Sequence, residues 1–378
     1  LSTTGSYNTA TGRISLASNT TGANNTAHGY AALFSNTTGT QNTATGDKAL
    51  YSNTTANYNT ASGYQALYSN TTASYNTAVG REALYTNTTG DNNTASGYRT
   101  LFYNTTGANN TSYGSESLNR NTTGLQNVAN GASALYSNTT GSNNTASGSL
   151  ALYSNTTGGR NVATGRNALN ANTTGSYNVG NGYQALASNT TGASNTATGY
   201  QALINNTTGG YNAAIGDRAF KDLTTGSGNT GIGFVNSSGT YAPVFNVSTE
   251  SNRLVLGHTS ITNAYVQVAW TVTSDARDKM NFAPVPYGLD FVNQLKPTAY
   301  QFKVDRDTEE PTGGVRYGFK AQDILALEGD NPVIIDTEDA DNLKYKGEHL
   351  VPVLVNAVQE LTAMVKDLKA EVAALKGA

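Results

Sequence analysis

Apolar positions along the first 234 residues follow neither a heptad nor a sustained alternation. One Leu returns every 17 residues, from Leu16 and Leu33 through Leu203, in a background of Ser, Thr, Asn and Gly. Asn keeps the same beat in two columns, Asn19, Asn36 and Asn53 through Asn206, and Asn8, Asn25 and Asn42 through Asn229; Gly does so from Gly12 to Gly233. Self-similarity at a fixed period predicts a solenoid in which each repeat is one coil. A rung such as Asn59-Thr-Ala-Ser-Gly-Tyr-Gln-Ala-Leu-Tyr-Ser-Asn-Thr-Thr-Ala73 reads as two short extended runs separated by Gly and by Asn-Thr-Thr turn chemistry. Coils stacked at the strand-pairing distance of ~4.8 Å turn about 13 repeats into a rod of roughly 60 Å.

Stacking gives the recurring residues physical jobs. Asn side chains in register can hydrogen-bond along the axis, and Gly marks the tight turn. Leu and its Ala neighbour, as in Ala66 with Leu67 and Ala134 with Leu135, are expected on one buried side of a strand. Burial at ~25 cal/mol per Å² of one Leu and a few Ala is small beside an ordering cost of roughly 1–2 kcal/mol per residue. That arithmetic predicts a homotrimer, with three Leu side chains pooled in each layer.

Beyond Phe234 the beat fades. Leu254-Val-Leu256 and Tyr265 to Val272 alternate as strands, and from Ser274 onward Gly becomes scarce and charge rises. The expected organisation is a repeat shaft over 1–234, a β-rich connector over 235–273, and a mixed α+β domain over 274–378. From about residue 350, Val351, Val358, Val365 and Val372 interleave with Leu354, Leu361, Leu368 and Leu375, which is a coiled-coil heptad. Val at one core position with Leu at the other leans toward two strands in isolated peptides.

Composition narrows the function. Gly at 40 residues and hydrophobics at 37% argue against an ordinary globular packing. Charged residues are 12% and the net charge is −3, which argues against a nucleic-acid or anionic-membrane binder. Cys is 0, so disulfides, thiolate metal sites and Cys nucleophiles are excluded. No run approaches the roughly 18 apolar residues of a membrane span. No signal peptide stands at Leu1, where the repeat is already running, as expected of a piece of a longer chain.

Candidate chemistry is sparse. Tyr51, Tyr68, Tyr85, Tyr136 and Tyr153 share a column beside the Leu, either as a packed ring ladder or as a sugar-stacking surface. Glu82 and Glu116 share another column two coils apart, as a solvated face or as a wide glycosidase-type carboxylate pair. The Asn-Thr-Thr sequons follow from the repeat itself and carry no separate information. No motif calls for a cofactor or metal, although Asn, Thr and carbonyl oxygens could hold a hard cation on the axis. In Ser274-Asp-Ala-Arg-Asp-Lys279, a hydroxyl and an amine five residues apart can form a nucleophile and its base, or simply a turn with solvated charges.

Ser-Asp-x-Arg-x-Lys is followed by Leu295-Lys-Pro-Thr-Ala-Tyr300, Tyr317-Gly-Phe-Lys-Ala-Gln322, Leu343-Lys-Tyr345 and Leu350 to Leu361. In that order the blocks resemble the C-terminal intramolecular chaperone domain of phage tailspikes and tail fibres, the endosialidase-type self-cleaving peptidases. The resemblance implies a trimeric fibre whose domain severs the bond between Thr273 and Ser274. It implies Ser274 as nucleophile and Lys279 as base, with no activity on an external substrate. Lys279 must be neutral for this, which burial or the Arg277 cation favours and Asp275 and Asp278 oppose. The repeat, Asn-Thr-Ala-x-Gly-x-x-Ala, more loosely resembles the β-roll heads of trimeric autotransporter adhesins.

The expected fold is therefore mainly β: a 17-residue-repeat β-solenoid shaft, trimeric, followed by an α+β chaperone domain that ends in a coiled-coil helix. The expected function is that of the distal part of a virion tail fibre, acting outside the cell on host surface polysaccharide. Its other virion tail partners would be reached through a part upstream of Leu1. The alternatives are a tailspike with a polysaccharide-degrading shaft and a bacterial surface adhesin carrying the same C-terminal domain.

Overall fold

The computed structural model describes residues 4–261, 274, 276–303, 309–338, 340 and 343–376. The expected strand at 265–272 lies outside the described residues, as do Thr273 and Asp275. The chain divides into two units, Leu1–Ile261 and Thr262–Ala378.

The first unit is a parallel β-solenoid of 17-residue coils. Each coil contributes one three-residue strand, from β1 (Thr9–Thr11) to β14 (Thr230–Ile232), and these join one 15-stranded sheet in sequence order. The register is strict: Thr60 pairs with Thr77 and Ala61 with Ala78. The central Ala points inward and is buried, while the flanking residues face outward.

The second extended run read from the sequence is not a strand. Gln65 and Leu67 adopt φ of +52° and +51°, and the same pair of left-handed residues recurs in the neighbouring coils. Their amides still bond between coils, the Gln65 N–H down to the Asp47 carbonyl at 2.9 Å and the Leu67 N–H up to that of Ala83 at 3.0 Å. Left-handed backbone costs a non-Gly residue roughly 1–3 kcal/mol. Full burial of Leu67, at 0% exposure, returns roughly 1.5–3 kcal/mol. The kink, and not strand alternation, sends both Ala66 and Leu67 into the core.

Leu33, Leu50, Leu67 and Leu84 stack inside a single chain, each fully buried. They are therefore not free to pool around an axis shared by three chains. Polar ladders close what the thin core leaves open. Asn121 Nδ2 donates to Asn104 Oδ1 at 2.8 Å and to the Gly124 carbonyl at 3.0 Å, and Asn138 Nδ2 donates to Asn121 Oδ1 at 2.8 Å. In the second column the Asn59 N–H reaches Asn42 Oδ1 at 3.0 Å and Asn59 Nδ2 the Ala73 carbonyl at 2.9 Å. Buried amides satisfied in this way avoid the penalty of roughly 1–3 kcal/mol that each unpaired group carries.

The two glycine columns differ. Gly131 sits at φ +139°, where a Cβ would lie 2.6 Å from the Gly148 carbonyl carbon. In the other column Ala56 and Ala73 replace Gly in consecutive coils and remain buried.

The shaft ends where the repeat changes. Phe220 takes the Leu position and Leu223 the Asn position, so the Asn206 Oδ1 is a buried oxygen with no partner among the described residues. Gly231 replaces the strand Ala; a Cβ there would meet the Phe220 ring at 2.5 Å. Phe220 and Phe234 pack edge to face at 4.9 Å over this end. One further storey follows after a longer loop: β15 (Leu254–Leu256) pairs with β14 through Thr230 and Leu254.

The second unit is mixed. Helix α1 (Leu289–Gln294), hairpin strands β16 (Thr298–Lys303) and β17 (Pro311–Gly318), and helix α2 (Ala321–Glu328) precede the short pair β18 (Ile335–Asp336) and β19 (Lys344–Tyr345). Helix α3 (Leu350–Lys376) closes the chain with 27 residues. A small core joins Phe291, Ile324, Ile334, Ile335, Leu350 and Val353. The buried Glu328 accepts the N–H groups of Val333, Ile334 and Ile335 at 2.8, 2.7 and 3.0 Å, fixing the chain after α2. Asn356 donates to the Tyr287 carbonyl at 2.9 Å, and Glu360 accepts the Leu289 N–H at 2.7 Å at the start of α1. That face of α3 is held by its own domain, while the Val351, Leu354, Val358 and Leu361 stripe is exposed.

Candidate functional site

A single 3-10 turn, Ala276–Asp278, reverses the chain between Ser274 and Lys279, with the Lys279 N–H bonded to the Ala276 carbonyl at 3.2 Å. The reversal brings the two sequence-predicted residues together: Lys279 Nζ donates to Ser274 Oγ at 2.7 Å. The hydroxyl and the amine are thus within the reach that proton transfer requires. Both residues are exposed. Thr273, the acyl side of the expected scissile bond, lies outside the described residues.

On the shaft the predicted tyrosines are half-buried, with both faces of Tyr51, Tyr68 and Tyr85 and one face of Tyr153 stacked on neighbouring rings. Phe34, Tyr51, Tyr68, Tyr85 and Phe102 form one continuous stack at 5.2, 5.2, 5.1 and 5.0 Å between centroids, and Tyr136 stacks on Tyr153 at 5.2 Å. Burial raises the Tyr85 hydroxyl above its ordinary value, with smaller contributions from neighbouring Tyr68, Glu82 and Tyr64. More open tyrosines stand in a different column, where Tyr58 stacks on Tyr75 at 4.9 Å and both rings are exposed. The sequence reading did not single that column out.

Glu82 and Glu116 do not form an open carboxylate pair. Arg99 occupies the coil between them, and Glu82 accepts from Arg99 Nε at 2.6 Å and from Arg81 Nε at 3.2 Å. Burial pushes the Glu82 carboxyl up, but the bonds and charges of Arg99 and then Arg81 outweigh it and hold it below the usual range. A carboxyl held ionised in this way is poorly suited to donate a proton to a leaving group. Around it, the Arg81 guanidinium lies 5.6 Å from the Tyr64 ring and 6.0 Å from that of Tyr98. Arg99 lies 5.3 Å from Tyr98 and 5.2 Å from Phe102. The alternation of Tyr64, Arg81 and Tyr98 at the repeat spacing was the signal available in the sequence for this cluster. Among the described residues no group of three or more His, Asp or Glu side chains could hold a metal ion.

The model of the Peptidase_S74 family, chaperone of endosialidase, matches residues 274–331. The match opens on Ser274 and spans the Ser274–Lys279 pair, α1, the β16–β17 hairpin and α2. This segment is similar to the chaperone domain of endosialidase-type proteins. No curated protein and no solved structure matches the chain.

Proposed function

We propose that this chain is a fibre subunit: a solenoid shaft carried by a C-terminal chaperone domain that brings three copies together and then cuts itself free. The single observation that carries the reading is the 2.7 Å contact between Lys279 Nζ and Ser274 Oγ at the first residue of the matched segment. In the reaction, neutral Lys279 takes the Ser274 hydroxyl proton and Oγ bonds to the Thr273 carbonyl carbon. The Thr273–Ser274 peptide bond breaks, its nitrogen leaving as the Ser274 amine with the proton that Lys279 returns. Water then hydrolyses the ester, giving a Thr273 carboxylate and restoring the Ser274 hydroxyl.

Association is supported by what the second unit leaves uncovered. Leu368 on α3 is 60% exposed and Tyr317 on β17 is 88% exposed. A continuous apolar stripe on a helix of this length is normally covered by partner helices, and self-association through the heptad supplies them. The shaft, with its ring columns and hydroxyl-rich turns, is the part that meets host surface polysaccharide. The whole is read as the distal section of a virion tail fibre acting outside the cell.

Intact-mass measurement together with a denaturing gel tests cleavage and assembly. The expected result is a shaft fragment ending at Thr273 from the unmodified protein, an uncut chain from Ser274→Ala, and a native mass of three chains. Cleavage that persists in Ser274→Ala removes the dyad assignment, and a monomeric native mass removes the fibre.

A further inference from the structure

The cluster around Glu82 has more order than packing requires. Glu82 has only 9% of its side chain exposed, and it binds both arginines through Nε alone, Arg99 at 2.6 Å and Arg81 at 3.2 Å. The Nη nitrogens of Arg81 and Arg99 have no hydrogen-bond partner among the described residues. Arg81 keeps 60% and Arg99 41% of its side chain in contact with water. Tyr64 and Tyr98 flank the Arg81 guanidinium, and Tyr98 with Phe102 supports that of Arg99. Two long side chains that would otherwise lose several rotamers on binding are thereby fixed in advance.

We propose that Arg81 and Arg99 form a binding subsite for a carboxylate-bearing sugar residue, with Glu82 as the positioning residue that aims them. The inference rests on the glycan-adhesion reading above and names its ligand chemistry. A guanidinium fork matches a planar carboxylate, forming short charge-assisted bonds. The Tyr64 and Tyr98 rings, 45% and 40% exposed, border the same arginines and carry hydroxyls that can exchange hydrogen bonds with a sugar. The facing charges are few. Glu116 stands one coil beyond Arg99 in the same column, with no ion pair to it, and Lys48 two coils before Glu82. Three chains in a fibre repeat the subsite threefold, which converts a weak single contact into avidity.

The full-length protein is applied to immobilised polygalacturonate, dextran sulfate and neutral dextran, with Arg81→Ala/Arg99→Ala and Glu116→Gln tested beside it. Thermal melting checks that each variant is folded. The expected result is salt-sensitive retention on polygalacturonate, a loss of about tenfold or more in the double variant, and retention at least as strong in Glu116→Gln. Glu82→Gln, which keeps a hydrogen-bonding group but releases the clamp, is expected to weaken binding while leaving its salt dependence in place. Equal binding to dextran sulfate and polygalacturonate would replace the carboxylate-specific subsite with general anion attraction. Binding to dextran alone, or binding unchanged in a folded double variant, overturns the subsite and leaves adhesion standing. A protein that binds none of the three polymers overturns both.

Discussion

The two units solve the same shortage of apolar residues in opposite ways. The shaft has one Leu per coil, yet hides it completely within a single chain and satisfies the remaining interior with Asn ladders and inter-coil amide bonds. The C-terminal unit gathers a small core around Phe291, Ile324 and Ile335 and leaves Val358, Leu361, Leu368 and Tyr317 in water. The contrast teaches which unit has apolar surface left to cover. A periodic structure can complete itself by adding coils, whereas a single helix with an apolar stripe has only other helices to turn to. The pooling of Leu side chains across three shafts, inferred from burial arithmetic, is replaced by a tail whose apolar face is still open.

The largest expected effect that would break this contrast is at Gly131. Gly131→Ala places a Cβ 2.6 Å from the Gly148 carbonyl carbon at φ +139°. It should destabilise the shaft by about 3 kcal/mol, read as a fall in its melting temperature. Gly124→Ala should cost less although its Cβ would lie 2.3 Å from Asn121 Oδ1, because Gly124 has no positive φ and Ala56 and Ala73 already occupy that column. Equal effects would mean that the two turns are not distinguished as described.

Next in size is the interior of the ladder against its counterpart in the tail. Asn121→Ala strands Asn104 Oδ1 and removes the acceptor of Asn138. It should cost about 2–3 kcal/mol in chemical denaturation, against about 1 kcal/mol for Asn356→Ala, which loses one bond to Tyr287. A smaller loss at Asn121 than at Asn356 would show that the shaft does not depend on its ladder.

The smallest effect sits at the ladder's end. Leu223→Asn offers a donor to the orphaned Asn206 Oδ1, a gain of about 1 kcal/mol, but gives up Leu burial of roughly 2 kcal/mol. The net expectation is a loss of about 1 kcal/mol; a gain would mean that the ladder outweighs the apolar cap.

Much of this was legible in the chain. The 17-residue spacing of Asn, Gly and Leu specifies stacked coils, because only register brings Asn36, Asn53 and Asn70 directly onto one another. The heptad over Val351 to Leu375 specifies the final helix. The left-handed backbone at Gln65 and Leu67 was not legible, since neither residue type signals positive φ and only the inter-coil bonds sustain it. The extra storey at β15 was hidden by the longer loop that interrupts the beat. Ser274 and Lys279 were readable as a pair, and the structure adds the turn that joins them. The clamp on Glu82 needed two coils to be superposed before its two arginines met.

Native-state hydrogen exchange on the full chain, with and without Leu361→Glu/Leu368→Glu, tests the contrast most directly. The double variant removes two exposed core positions of the α3 heptad and should sediment as a single chain. In that single chain, the amides of the ladder coils, from Asn25 to Asn212, are predicted to stay as protected as in the unmodified protein. Protection that collapses when the chains separate would contradict the account, because it would place the shaft's stability between chains.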